Sequence, residues 1–384
     1  MKRRNELDAL RGIFLLIMAG THLPTALNDL ANQPLGYVSA AEGFVFLSAF
    51  LVGSIYTPLM SQRGMTYVRE RLWQRVRTLY RYHLLLLLFV FTVVAAIARV
   101  TGNAALHNYL SVFFRSPGWA LVASPLLAYQ PPLLDILPMY IIFLALSPAL
   151  LRFARRRGWV AVLIGSALLW LFAQLQGGRA LYEVVSKTGL PFERAAFGGF
   201  NWYAWQLAWV AGLWIGSGPY RAEGAAASSR WLHHPVTAVA AGAVCVFFLL
   251  WRHHVGGLLM QLGSGSPLLD KWRLGPLRVV NCIALGWVFN RVALPALRRL
   301  RVTVLEMLGR NSLQVFCAHI PVCVLGDGLL LGQRATPLRA LEQALLVTAM
   351  LAVMLFVAWA SDAGYRHSAR YDSPRAISRS SSSG

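Results

Sequence analysis

Apolar blocks of about 20 residues, parted by short polar or arginine-rich stretches, run along nearly the whole chain, and a helix crossing a bilayer core needs that length. Ten such blocks can be marked, at 9–29, 42–60, 83–101, 134–152, 158–176, 200–218, 236–254, 278–297, 312–332 and 340–361. No soluble domain and no internal repeat interrupts them. The pattern predicts an all-α polytopic integral membrane protein with about ten transmembrane helices. The connection over 102–133 is longer than its neighbours and carries Trp119, Tyr129 and a Gln-Pro-Pro run, so short interfacial or re-entrant pieces are expected there.

Charge refines this picture. Lys and Arg stay on the cytoplasmic side of membrane helices. With the N-terminus inside, ten crossings put 25 of the 36 basic residues in cytoplasmic segments, an asymmetry that an odd number of helices would scramble. Both termini are therefore expected to be cytoplasmic. Charged residues make up only 13% of the chain, about half the usual share. The net charge of +21 encodes orientation before anything else, and no nucleic-acid partner is expected. The lipid bilayer is the first partner implied, and the sequence leaves a homo-oligomer open. Cys245, Cys282, Cys317 and Cys323 lie in or beside apolar blocks, without the spacing of a zinc site, so no metal is expected. The opening MKRR and apolar run lack an obvious cleavage site and hold a histidine, which reads as an uncleaved first helix. Residues 1–364 form the expected membrane domain, and the Ser/Arg-rich 365–384 reads as a disordered cytoplasmic tail.

Ionisable residues inside membrane helices mark function by default. Arg11 and His22 are eleven residues apart, so both project from one helix face with a rise of about 16 Å. The planar fork of a rim arginine suits phosphate, and an imidazole deeper inside suits proton transfer. Glu42, opening the second block, is placed to orient His22, and Asp135, at the outer end of the fourth, could support the same ring or meet a hydroxyl-rich acceptor. Ser48 offers a further polar contact. Among the arginines of TYVRERLWQRVRTLYRYH, the i, i+4 pair Arg77 and Arg81 is the candidate polyphosphate site, with Arg310 at the rim of the ninth block. His319 lies nine residues beyond Arg310, echoing the first helix. Tyr140, Asn201, Trp205 and Gln206 combine aromatic and amide groups suited to sugar rings. Trp and Tyr also form ordinary interface belts.

In their order these segments resemble the membrane acyltransferase-three superfamily. They include the Arg11–His22 pair, FVFLSAF (close to Phe-Phe-x-x-Ser-Gly-Phe, with Ala49 at the glycine) and LGRNSLQVFCAH. NELDALRGIFLLIMAGTHLP, AAEGFVFLSAFLVG, RTLYRYH, DILPMYI, FNWYAWQL and DKWRLGPLRVVN resemble its OpgC branch, which succinylates osmoregulated periplasmic glucans. The resemblance implies an inner-membrane acyltransferase with His22 as essential histidine and Arg11 as its paired residue. It also implies cytoplasmic succinyl-CoA as co-substrate, no resident cofactor, and a periplasmic glucan as acceptor. An acetyltransferase of another envelope glycan, and a transporter or flippase with polar-lined broken helices, stay open at this point.

Overall fold

The computed structural model describes residues 4–177, 183, 198–218, 234–253, 266–328 and 339–371, with side chains to 363 in the last segment. The described residues are mostly helical, with no β-strand among them. The main helices are α1 (Asn5–His22), α2 (Ala40–Phe89), α3 (Ile136–Arg157), α4 (Trp159–Gln174) and α5 (Trp202–Ser217). They continue with α6 (Pro235–Arg252), α7 (Pro276–Val288), α8 (Thr303–Arg310), α9 (Ser312–Gly326) and α10 (Ala340–Tyr371).

α1 stops earlier than its apolar block because Pro24 disfavours helical geometry in the residue before it, and Leu23 is extended at φ −87° and ψ 139°. A short helix, Leu27–Ala31, follows. His22 is thus the final residue of a helix, not an interior one. α2 begins with a capping box in which the Ser39 side chain and Glu42 satisfy each other's backbone N–H groups. It continues through a π-helical turn, Val90–Val94, to Thr101. Gly64, at φ 80° and ψ 168°, breaks it. Arg75 hydrogen-bonds Tyr56, although nineteen helical residues would hold them about 28 Å apart, so the two arms fold back side by side. This one element therefore contains two of the expected spans and the basic turn between them.

Among the described residues, five helices are long and apolar enough to cross a membrane: Ala40–Thr101, Ile136–Arg157, Pro235–Arg252, Pro276–Leu300 and Ala340–Ala363. α4 and α9 are shorter and apolar. Helices 104–109, 111–115 and 117–123 fill the long connection after α2. α10 continues to Tyr371, beyond the expected start of the tail, and the end of the 312–332 block and the remaining tail lie outside the described residues.

The surface has the polarity expected of a lipid solvent. Large apolar side chains such as Leu88, Leu168, Val239 and Phe356 stand outward, while Glu42, Arg278, His319 and Asn281 are buried. α1 lies against α8 almost backbone to backbone. A Cβ on Gly12 would stand 2.2 Å from the carbonyl oxygen of Leu305, and one on Gly309 would stand 1.8 Å from that of Asp8. Small residues allow this approach where helices have little hydrophobic drive to associate in lipid. The contact brings the Arg11 end of α1 to the junction of α8 and α9.

Candidate functional site

α8 and α9 are separated at Asn311, so the chain turns between Arg310 and Ser312. Nη2 of Arg11 donates to Oγ of Ser312 at 2.5 Å, and the guanidinium lies 5.5 Å from the Phe44 ring centre. A cavity of about 240 Å³ opens here, lined by Arg11, Arg75, Arg310, Thr78, Tyr140 and Phe316 among others. Arg310 also donates to Asp362 at 3.2 Å, so its charge is partly matched within the protein. Three arginines around one small chamber suit an anion carrying several negative charges.

The expected pair Arg77 and Arg81 is exposed and does not line this cavity. Arg75 lines it instead. The reason is helical phase: Val68, Leu72, Val76 and Leu79 form the buried stripe of this arm. Arg75 and Thr78 border that stripe, whereas positions two and six residues beyond Arg75 lie about 200° and 240° around the helix.

At the other end of α1, His22 lines a larger cavity of about 510 Å³, together with Asp135, Lys271, Trp272, Tyr109 and Gln130. His319 is fully buried behind it. Nδ1 of His22 and Nε2 of His319 are 3.2 Å apart, with the ring planes within 8° and the centroids 5.5 Å apart. That centroid separation is the nitrogen–nitrogen distance plus a ring radius at each end. The two nitrogens therefore point straight at each other, as in a linear N–H···N bond and unlike stacked rings. Cys323 completes a group whose ligand atoms lie within 4.8 Å. Two nitrogens on one tetrahedral zinc ion would stand about 3.3 Å apart, close to this spacing, but both would aim at a point beside the line joining them; the in-line orientation of these two suits a shared proton.

The remaining nitrogen of His319, Nδ1, is buried without a hydrogen-bond partner, with the Val315 and Phe316 backbone of the preceding turn beside the ring. A proton on that nitrogen would face carbonyl oxygens instead of setting a lone pair against them, and in that tautomer Nε2 of His319 accepts from Nδ1–H of His22. In that tautomer His22 presents an unprotonated Nε2 to the cavity, the form a general base needs. The Phe316 ring packs edge-on against His319 at 4.9 Å and 74°.

Phe316 and Ile136 line both cavities. The cationic chamber and the histidine chamber thus back onto the same two side chains, one at each end of the α1 face carrying Arg11 and His22.

The other expected residues divide clearly. Asp135 lines the histidine chamber, where it accepts the backbone N–H of Gly199 at 3.0 Å. Glu42 is not hydrogen-bonded to His22. One oxygen takes the backbone N–H of Ser39 at 3.0 Å and its hydroxyl, and the other takes Nε of Arg278 at 3.1 Å and its Nη2. Both members of the Glu42–Arg278 pair are buried, so this carboxylate holds α2 to α7. Ser48 is buried and lines neither cavity. Tyr140 lies in the arginine chamber and packs edge-on against Trp209, away from where a sugar contact was expected. Asn201 caps α5, accepting from the Ala204 N–H at 3.2 Å, and the Trp205 indole donates to the Trp272 carbonyl at 3.1 Å. Gln206 accepts from the Ser166 hydroxyl at 2.7 Å and returns a bond to its carbonyl, joining α5 to α4. Asn201, Trp205 and Gln206 line neither cavity. The ring standing in the cavity is Trp272, 47% exposed.

Arg75, one of the arginines of TYVRERLWQRVRTLYRYH, and Lys271 and Trp272 of DKWRLGPLRVVN line these chambers without having been singled out from the sequence. The helical stripe beside Arg75 was a usable signal, and Lys271 is one of only three lysines in the chain.

No curated protein and no solved structure matches this chain. The family model described as OpgC protein matches residues 3–364, nearly the full length, and the chain therefore belongs to the OpgC family.

Proposed function

We propose that the protein is a membrane-embedded O-acyltransferase that takes succinyl from succinyl-CoA on the cytoplasmic side and esterifies hydroxyls of a periplasmic glucan. Membership of the OpgC family supports an acyltransferase of this type. The observation that carries the reading is the pair of chambers at the two ends of one helix face, backed onto Phe316 and Ile136. In this reading ten spans place both termini in the cytoplasm of a bacterium and the protein in its inner membrane. Acyl-CoA is a co-substrate, and no resident cofactor takes part.

The donor's phosphates rest against Arg11, Arg75 and Arg310. The extended pantetheine arm matches the Arg11-to-His22 rise of about 16 Å, so the thioester passes Phe316 and Ile136 and arrives beside His22. Nε2 of His22 takes the proton of an acceptor hydroxyl while that oxygen attacks the thioester carbonyl. The tetrahedral intermediate collapses with cleavage of the carbon–sulfur bond, and the imidazolium returns its proton to the leaving sulfur. The ester and free CoA form with no net proton change at the histidine. His319 keeps the base in the required tautomer and orientation, as the third member of a triad does.

Mass spectrometry of periplasmic oligosaccharides from cells with the protein, without it, and with His22→Ala tests this. Succinylation adds about 100 Da per site, and acetylation would add about 42 Da. Loss of the heavier species with His22→Ala at normal protein level is expected. Unchanged glucans in all three strains would sink the proposal.

A further inference from the structure

Lys271 stands in the histidine chamber with no assigned task. It precedes α7 in the DKWRLGP segment, lines the same cavity as His22, and lies 5.2 Å from the centre of the Trp272 ring. It forms no ion pair among the described residues. The nearest carboxylates bond other partners, Glu42 the buried Arg278 and Asp135 the Gly199 backbone, and act on Lys271 at a distance without an ion pair. Lys271 is nevertheless close enough for its charge to act on His22. A partly buried cation with no carboxylate in direct contact leaves room for an anion that arrives with the substrate.

The two substrates offer few candidates. The donor's phosphates belong at the arginine chamber, about 16 Å away along α1, and sugar hydroxyls are neutral. A dicarboxylic acyl group supplies the missing charge. With its thioester carbonyl at His22, its far carboxylate extends a few bonds further into the chamber.

We propose that Lys271 is the specificity residue that pairs with the free carboxylate of a dicarboxylic acyl donor and so selects it over neutral acyl-CoAs. This rests on the acyltransferase reading and names the acyl class that the site takes. A general electrostatic role, such as stabilising the tetrahedral oxyanion, would act on every donor alike, which separates the two explanations.

The experiment uses the purified full chain with a glucan acceptor and compares succinyl-CoA with butyryl-CoA, which has the same carbon chain without the carboxylate. Lys271→Met is expected to lower kcat/KM for succinyl-CoA about 10- to 100-fold, the range for a lost charge-assisted hydrogen bond. Butyryl transfer should stay within about twofold of wild type on the same argument. Lys271→Arg should keep the succinyl preference. Equal losses with both donors, or an unchanged preference in Lys271→Met, would overturn the assignment while leaving the acyltransferase reading in place. A wild-type protein that transfers neither group would overturn both.

Discussion

Replacing His319 with Phe tests the tautomer argument at its centre. The substitution keeps a ring against Phe316 but removes the nitrogen that accepts from Nδ1–H of His22, now 3.2 Å away. A buried donor left without its acceptor costs about 1–3 kcal/mol. His22 escapes that cost by rotating or by moving its proton to Nε2, and either change removes the base from the chamber. At about 1.4 kcal/mol per factor of ten, kcat falls about 5- to 150-fold. The lower part of that range is expected, because His22 is only half-buried and cavity water can offset part of the loss. KM for the CoA donor should hold, since His319 lines neither chamber. His319→Gln, which can place an amide oxygen near the lost nitrogen, should recover most of the rate. His22→Ala removes the base itself, worth about 100- to 10,000-fold, and adding His319→Phe to it should cost nothing more. Steady-state acyl transfer in detergent, with thermal unfolding as the folding control, reads all four variants. Wild-type kcat in His319→Phe, or independent additive losses in the double variant, would refute the reasoning.

Arg75→Ala should raise KM for the CoA donor about 10-fold or more with little change in kcat, whereas Arg77→Ala should leave both alone; equal effects would place the phosphates elsewhere. Glu42→Leu strands Arg278 in the interior and should cost about 3–5 kcal/mol of stability, while Glu42→Leu with Arg278→Leu recovers most of it. Loss of transfer in Glu42→Leu without a change in unfolding temperature would make Glu42 chemical. Gly309→Ala puts a carbon 1.8 Å from the Asp8 carbonyl oxygen and should destabilise by about 3 kcal/mol, read as thermal unfolding in detergent. Unchanged melting would deny the close packing of α1 on α8. Burial lowers the pKa of Lys271 from 10.5, with Glu42 and Asp135 opposing that shift and Arg278 adding to it. With these charges and His22 around it, Lys271 loses its proton at lower pH than a free lysine. The preference for succinyl-CoA over butyryl-CoA should therefore decline as pH rises toward 10.5, and a flat ratio would contradict the pairing.

Much of the fold is plain in the one-dimensional pattern, because apolar block length alone sets where membrane helices lie. The Arg11–His22 relation is equally legible, since helical phase and rise act within one segment. What the pattern hides is which side chains meet across segments. Glu42 stands at the fourth place of Ser-Ala-Ala-Glu just before an apolar run, a capping box that reserves one carboxylate oxygen for the backbone. That local signal was present, but its other partner, Arg278, is 236 residues away and no spacing rule connects them. His319 was visible as a buried histidine and not as the partner of His22, because the helix breaks at Asn311 and its direction is set by packing. Asn201 and Gln206 sit in a segment whose composition suits sugars, yet the Asn201 side chain caps its own helix and Gln206 joins two helices, as amides in lipid often do.

The most direct test of a path through the membrane is vectorial transfer. Proteoliposomes carrying the purified protein, loaded with glucan, are given labelled succinyl-CoA only outside, on the molecules whose Arg11 end faces out. Labelled succinyl ester is expected on lumenal glucan with free CoA released outside, and neither product in His22→Ala. Ester formation only when donor and glucan share one compartment would contradict it.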